Sequence, residues 1–382
     1  MWRKLVELWR SWDSPLLALT GSLLAVGLAA IYSSSLSRPE LANLFGRQLV
    51  GVGVGLGCLL AAAWFDYRNY RSWSRLIYFG SLALLVMVLM FGSTIRGTTG
   101  WFRLGSLSFQ PVEAVKLLWV MALGSYLAHV GPPLTWRKTL TSGVLLAPLL
   151  TLVLLQPDFG SGFVLVAVWG VMLAAVPKSK RWWWGMAALA IAVLLLGSFF
   201  LKGYQRDRLS TFLSPQADPL GSGYNVTQSV VAVGAGGLWG RGLGLGTQSQ
   251  LHFLPEQQTD FIFASIAEEL GLFGAALVVG LWLAFFLRLT WLMRRLRDDF
   301  AVLVAIGIFT VFVVQVALNI GMNLGLAPVV GLTLPFLSFG GSSLVVSLAA
   351  VGVLENLARN FGRAAPQEAV GSIDRGVGVV VH

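Results

Sequence analysis

Charge is what this chain has least of. Only 12% of its 382 residues are Asp, Glu, Lys or Arg, roughly half the share found in soluble domains. Cysteine is nearly absent, since Cys58 is the single one. An intramolecular disulfide is therefore excluded. The apolar run around Cys58 favours an inert small hydrophobe over a thiol nucleophile.

Hydrophobic residues dominate instead. They make up 56% of the chain, and the mean hydropathy is +0.75. Long apolar runs of this kind indicate helices that cross a bilayer. We predict an all-α polytopic membrane protein with ten transmembrane helices, near residues 15–33, 49–65, 77–93, 111–129, 141–156, 161–177, 184–201, 260–287, 299–322 and 335–356.

The net charge of +10 first suggests a nucleic-acid partner. The distribution of the basic residues among the loops instead indicates how the chain is oriented in the membrane. Most of the 27 Lys and Arg residues fall on the side of the membrane that holds both termini. The positive-inside rule makes that side cytoplasmic. We therefore expect a multi-pass protein of the cytoplasmic (inner) membrane with both termini in the cytoplasm and no nucleic-acid partner.

One membrane domain is expected over residues 1–363, followed by a disordered cytoplasmic tail over 364–382. An extracytoplasmic loop of about 202–259 separates spans 7 and 8, and a loop of that length indicates function. Its glycine-rich part follows no strand, so a dinucleotide-binding loop is disfavoured. Such glycines let backbone amides approach a head group or pack against helices. Residues 226–233 could form an amphipathic helix on the membrane or a re-entrant segment.

Four acids cluster where this loop meets the eighth span, namely Glu256, Asp260, Glu268 and Glu269. Carboxylates at membrane depth are costly and usually functional. Asp260 could act in chemistry or could cap the span.

Other polar residues are expected on the same outer face. Arg206 and Arg208 lie in the long loop, and guanidinium forks match phosphate oxygens. Glu113 and Lys116 share one face of the fourth span, either as a structural ion pair or as ligand contacts. Asp158 lies between the fifth and sixth spans and could be only an N-cap.

A segment rich in Gly, Pro and Ser, residues 331–343 with Ser338 in it, precedes or opens the tenth span. It indicates irregular backbone lining a polar cavity. A carboxylate beside arginines in a partly dry cavity suits a general base acting on a hydroxyl near a diphosphate. A lipid-linked diphosphate donor and a hydroxyl acceptor would use such a set.

Five blocks of sequence resemble the SEDS family (shape, elongation, division and sporulation). They occur in the family's order and read GWFRLGSLSFQPVEAVKL, QPDFGSG, YQRDRLSTFL, GYNVTQSVVAVGAGGLWGRGLGLGTQSQLHFLPEQQTDFIFASIAEELGLFG and GLTLPFLSFGGSSL. The resemblance covers about residues 15 to 360. The short tail and the segments DYRNYRSW and VVGLTLPF favour the elongation-type, RodA-like branch over the division-type, FtsW-like branch.

The resemblance implies a peptidoglycan glycosyltransferase that polymerises lipid II at the outer face of the membrane, for cell-wall elongation and cell shape. It implies a class B penicillin-binding protein and other elongation-complex membrane proteins as partners. The family's essential aspartate falls on Asp260, as the catalytic base. Substrate contacts are expected at Arg206, Arg208, Lys116, Glu113, Asp158, Glu256 and Ser338.

No cofactor is required by the sequence. No ligand spacing marks a metal site, although a divalent cation, Mg²⁺ or Mn²⁺, could share the diphosphate charge. Val112, Gln258 and Phe339 depart from the family pattern and leave contacts at those positions open. Two other functions remain, a lipid II flippase and a non-catalytic scaffold for the penicillin-binding protein. The polar residues lie at the outer ends of the spans, which favours the enzyme over a carrier with a midplane site.

Overall fold

The computed structural model describes residues 12–36, 42–95, 97–104, 107–188, 222–246, 254 and 256–360. The helices of this part are α1 (Ser14–Leu36), α2 (Ala42–Trp64), α3 (Tyr67–Ser72), α4 (Ser74–Phe91), α5 (Pro111–Val130), α6 (Trp136–Leu155), α7 (Phe159–Ala175), α8 (Ser222–Ala235), α9 (Ile262–Met293), α10 (Asp299–Asn323) and α11 (Gly341–Asn360). Three strands are described, β1 (Ser93–Ile95), β2 (Thr98–Leu104) and β3 (Leu107–Phe109).

Among these helices, eight are long and apolar enough to cross a membrane, and α7 is a shorter apolar helix. The predicted polytopic helical fold is confirmed. Some boundaries were wrong: α2 begins earlier than predicted, α9 runs on to Met293, and α11 begins only at Gly341. Of the predicted seventh span, 184–201, only residues up to 188 are described, and they are helical. The count of ten spans therefore stays a prediction.

Side-chain caps define several helix starts. The carboxylate of Asp66 accepts from the Arg68 N–H at 2.9 Å before α3, and that of Asp298 accepts from the Ala301 N–H at 3.1 Å in the first turn of α10. Pro111 opens α5, where its missing N–H costs nothing. These caps satisfy N–H groups that have no partner inside the helix.

Helices α2 and α11 pack against each other more extensively than any other pair of described elements. Glycines make the close approach possible. A Cβ on Gly352 would lie 2.3 Å from the Leu59 carbonyl oxygen, and one on Gly55 would lie 2.5 Å from Leu348 Cδ1. Small residues at such crossings let backbones approach, which is how helices associate tightly in lipid.

A small antiparallel sheet in the order β1-β2-β3 joins α4 to α5. We predicted no strand there. Threonine and aromatic residues give β2 its strand preference. The tight turn between β1 and β2 includes Gly97, whose φ of 78° suits glycine. The sheet places Trp101 and Thr98 beside the candidate site described below.

Helix α9 is broken at Gly271, which has φ 65° and ψ −160°. The glycine-rich segment after α8 closes on this break. The N–H groups of Arg241 and Gly242 donate to the carbonyls of Glu268 and Glu269, both at 3.0 Å. The glycine-rich segment therefore packs on a helix, which is one of its two predicted uses. Helix α8 itself packs on α9 and α10.

Candidate active site

A polar cavity of about 200 Å³ lies where the ends of several helices meet the sheet. Three acids predicted from the sequence, Glu113, Asp158 and Asp260, line it together. They come from the first turn of α5, the α6–α7 connection and the turn before α9. The other lining residues are Ile95, Thr98, Trp101, Gln110, Pro157, Phe159, Ser161, Thr259, Val329, Val330, Gly331, Thr333, Phe339, Gly340, Ser342 and Ser343.

Asp260 lies in a turn that two side chains of α10 hold in place by hydrogen bonds. Its backbone carbonyl accepts hydrogen bonds from the side-chain amides of Asn319 and Asn323, both at 3.0 Å. Both asparagines are fully buried. The Asn319 amide also donates to the Leu332 carbonyl at 2.8 Å, so it ties the Asp260 turn to the loop before α11.

Gly331 lies opposite the Asp260 carboxylate. A Cβ placed on it would lie 4.0 Å from Asp260 Oδ2. Its φ of 67° belongs to the left-handed region that favours glycine. The backbone at Gly331 therefore leaves room for a ligand beside the Asp260 carboxylate.

Ser338 joins two loops. Its hydroxyl donates to the Thr259 carbonyl at 2.6 Å and accepts from the Leu334 N–H at 2.8 Å. The Phe339 N–H donates to the Gln258 carbonyl at 2.7 Å alongside. Ser338 is buried and is not among the cavity-lining residues, so its described bonds position the neighbours of Asp260.

Asp158 both caps a helix and lines the cavity. Its Oδ1 accepts from the Ser161 N–H at 2.9 Å, and its Oδ2 accepts from the Gln110 amide at 3.2 Å. Burial raises the pKa of the Asp158 carboxyl, while the Ser161 hydrogen bond and the charge of Lys116 oppose that rise. The sequence left a cap or a ligand contact open for Asp158, and the geometry allows both.

Glu113 and Lys116 form a buried ion pair, with the ammonium nitrogen 2.7 Å from Glu113 Oε1. Only Glu113 of the two lines the main cavity. Lys116 lines a much smaller neighbouring cavity, also bordered by Glu113. The ammonium therefore acts on the site through the carboxylate it holds. A pair this buried is costly to break from one side.

Hydroxyl groups at the start of α11 complete the wall. The Ser342 hydroxyl accepts from the Gln110 N–H at 2.9 Å and donates to the Ser108 carbonyl at 3.2 Å. The Thr333 hydroxyl donates to the Ser343 hydroxyl at 2.8 Å. Ser342 thus connects the start of α11 to the sheet and to α5.

Some predicted site residues lie elsewhere. Glu256 has φ 57°, accepts a 3.2 Å bond from the Thr259 hydroxyl and is not among the cavity-lining residues. Glu269, which was not a predicted site residue, is buried away from the cavity and accepts from the Ser33 hydroxyl at 2.7 Å. Arg206 and Arg208 lie outside the described residues.

Asn319, Asn323 and Gln110 were not assigned a role from the sequence. A usable signal existed for the two asparagines, because buried amides four residues apart on an apolar helix need partners. Their partner, the Asp260 turn, is distant along the chain. Gln110 carried no such signal, since it stands at the end of a loop.

Comparison with known proteins identifies the family. The model of the FtsW/RodA/SpoVE family, described as cell cycle protein, matches residues 14–362. The chain belongs to this family. The predicted family resemblance is confirmed.

Similar members of the family come from several branches. The peptidoglycan glycosyltransferase MrdB of Escherichia coli K12 is 35% identical over 347 residues, covering 90% of this chain and 93% of MrdB. The stage V sporulation protein E of Bacillus subtilis is 37% identical over 359 residues, covering 91% and 97%. The peptidoglycan glycosyltransferase RodA of Treponema pallidum is 28% identical over 410 residues, covering 88% and 95%.

Solved structures of the same fold are also found. A chain from a structure of a peptidoglycan synthase complex that coordinates polymerisation and crosslinking is 32% identical, with a TM-score of 0.79 and coverage of 91% of this chain and 98% of that one. The crystal structure of RodA from Thermus thermophilus is 29% identical, with a TM-score of 0.68 and coverage of 91% and 97%.

The carboxylates of the cavity are the candidate ligands for a metal ion. Within the described residues, no three His, Cys, Asp or Glu side chains lie close enough to hold one. The carboxylates of Asp158 and Asp260 are the hard oxygen donors that Mg²⁺ accepts, and such ions usually share substrate phosphates. A cation here would need oxygen donors from a ligand.

Proposed function

We propose that this protein is a peptidoglycan glycosyltransferase that polymerises lipid II into glycan strands. The observation that carries the proposal is the convergence of Glu113, Asp158 and Asp260 on one polar cavity at one end of the helix bundle. Relatives matched over 93% and 95% of their own length bear this activity in their names. In this proposal both termini lie in the cytoplasm, as the basic loops favour, and the cavity opens on the outer face of the cytoplasmic membrane.

Asp260 acts as the general base in this proposal. Its carboxylate accepts the proton of the acceptor sugar's 4-hydroxyl as that oxygen bonds to the anomeric carbon of the donor. The anomeric carbon–phosphate oxygen bond breaks, the configuration inverts, and undecaprenyl diphosphate leaves. The amides of Asn319 and Asn323 hold the backbone of Asp260 in place during this step.

Charge on the departing diphosphate needs stabilisation, usually the largest electrostatic requirement of such a reaction. Arg206 and Arg208 are the proposed guanidinium contacts, from the long outer loop. Lys116 contributes by holding the Glu113 carboxylate in position. A divalent cation, Mg²⁺ or Mn²⁺, would supply further charge when held by diphosphate oxygens with the Asp158 or Asp260 carboxylate.

A class B penicillin-binding protein is the proposed partner, together with other membrane proteins of the elongation complex. The relative that supports this was solved within a peptidoglycan synthase complex. The RodA-like assignment rests on the segments DYRNYRSW and VVGLTLPF. Relatives named for other branches match at similar identity.

The test is polymerisation of lipid II in detergent, where no sidedness exists. Wild-type protein with its partner is expected to form glycan chains, whereas Asp260→Asn forms none and still binds the partner. Asp299→Asn removes one carboxylate from the exposed start of α10, outside the cavity, and is the matched control that retains activity. Normal chains from Asp260→Asn would refute the base. No chains from the wild type, with partner binding intact, would favour a flippase or a scaffold.

A further inference from the structure

A second and larger cavity, of about 940 Å³, lies at the opposite end of the bundle between α3, α4, α5 and α6. Helix α5 passes from one cavity to the other. Glu113, in its first turn, lines the candidate active site, and His129, in its last turn, lines the second cavity. The two residues are about 24 Å apart along the helix axis. The second cavity is therefore separate from the proposed chemistry.

Hydrogen bonds between helices hold this cavity open. The Tyr78 hydroxyl of α4 donates to the Leu145 carbonyl of α6 at 2.9 Å. The Ser125 hydroxyl of α5 donates to the Arg71 carbonyl of α3 at 3.3 Å. All four residues line the cavity. These bonds join α4 to α6 and α5 to α3 around the cavity. Its volume falls within the range of preformed ligand sites.

The lining is divided into a basic rim and an apolar wall. Arg68, Arg71, Arg75 and His129 form the rim, and Phe79, Trp119, Ala122 and Leu145 form much of the wall. All four rim residues are exposed. Arg71 also lies 3.9 Å from Asp298, a loose surface pair that leaves most of its donors available. Such a division matches an amphiphile with an anionic head and an apolar tail.

Trp119 adds an independent sign of a ligand. It is 1% exposed and lines the cavity, and its indole N–H has no hydrogen-bond partner among the described residues. Buried polar groups are nearly always satisfied, so this donor in the cavity wall calls for an acceptor that the described residues do not supply. An ester or glycerol oxygen of a lipid would supply one.

We propose that this cavity binds one anionic phospholipid from the leaflet at this end of the bundle, which is the inner leaflet in the proposed topology. The phosphate contacts Arg68, Arg71 and Arg75, and an acyl chain lies against Phe79 and Trp119. Clustered basic residues beside transmembrane helices attract anionic head groups. A soluble phosphate would leave the apolar wall unused.

Binding can be measured by titrating delipidated full-length protein in neutral detergent and counting bound lipids by native mass spectrometry. Phosphatidylglycerol should bind about tenfold or more tightly than phosphatidylcholine with the same acyl chains. Replacing the three rim arginines, as R68Q/R71Q/R75Q, should remove that preference. The control R137Q/K180Q/R181Q loses equal charge from residues that do not line the cavity, and it should keep the preference.

A variant of the wall provides a second readout. Ala122→Trp fills the cavity without changing charge, and it should weaken the binding of both lipids. Thermal unfolding of every variant establishes that it is folded. Equal binding of the two lipids by the wild type would overturn the proposal. Equal losses in the two triple variants, or a clear preference for a polyprenyl diphosphate over phosphatidylglycerol, would also overturn it.

Discussion

The side-chain amide of Asn323 donates a 3.0 Å hydrogen bond to the backbone carbonyl of Asp260. The same side chain accepts from the Ala264 N–H at 3.0 Å, so it holds both the turn with Asp260 and the first turn of α9. The hydrogen bond from Asn323 to the proposed base goes to its backbone carbonyl. Asn323 is therefore a positioning residue, and its loss should affect the rate more than substrate binding.

We expect Asn323→Ala to lower kcat by about one to two orders of magnitude, because a shift near 1 Å in a reacting group costs about that much. KM for lipid II should change little. Losing the buried amide should also lower the free energy of unfolding by about 1–3 kcal/mol. Steady-state polymerisation kinetics and thermal unfolding in detergent measure both effects.

Thr310→Ala is the matched control for Asn323→Ala. Thr310 is buried on the same helix, and its hydroxyl bonds only to the Ile306 carbonyl one turn back. Its replacement should leave kcat within about twofold, since the lost bond does not reach the site. An equal fall in kcat in both variants would show that general destabilisation, rather than position, is responsible.

Several of these relationships could be predicted from the sequence, and others could not. The apolar runs identified the spans, and the acids at the edge of one span drew attention to Asp260. The Asn323–Asp260 bond joins residues 63 positions apart, a distance along the chain that no local pattern encodes. No proline marks the break at Gly271, and leucines flank it on both sides. The strands between residues 93 and 109 are short, and glycine and serine interrupt their sequence. They therefore show little of the alternation of apolar and polar residues that indicates a strand.

Gly331→Ala should abolish most activity at a modest cost in stability. Its φ of 67° strains any residue with a Cβ, and the added Cβ would lie 4.0 Å from Asp260 Oδ2. The strain should cost about 1–2 kcal/mol. Gly325→Ala, at φ 71°, has a similar strain but adds its Cβ next to Val230 and Val226. If both variants polymerise lipid II equally well, the space beside Asp260 is not used by substrate.

Asp158→Asn should change how stability depends on pH. Because burial raises the pKa of Asp158 in the folded protein, its ionised form is disfavoured there. Wild-type stability should therefore fall as pH rises from the ordinary aspartate range, near 4, through the raised pKa. Asparagine keeps the cap without the charge, so the variant should gain stability relative to wild type as pH rises. Parallel curves of thermal unfolding against pH for the two proteins would contradict this.

Lys116→Met should destabilise the protein, and a second change should restore it. The single variant leaves the Glu113 carboxylate buried without its ammonium partner, which typically costs about 3–5 kcal/mol. In the double variant E113Q/K116M neither charge remains, so most of the free energy of unfolding should return. Polymerisation should not return, because Glu113 lines the cavity with Asp260 and the amide lacks its charge. Recovery of both stability and glycan synthesis in the double variant would assign the pair a purely structural role. Chemical denaturation and lipid II polymerisation, measured on the same preparations, separate the two outcomes.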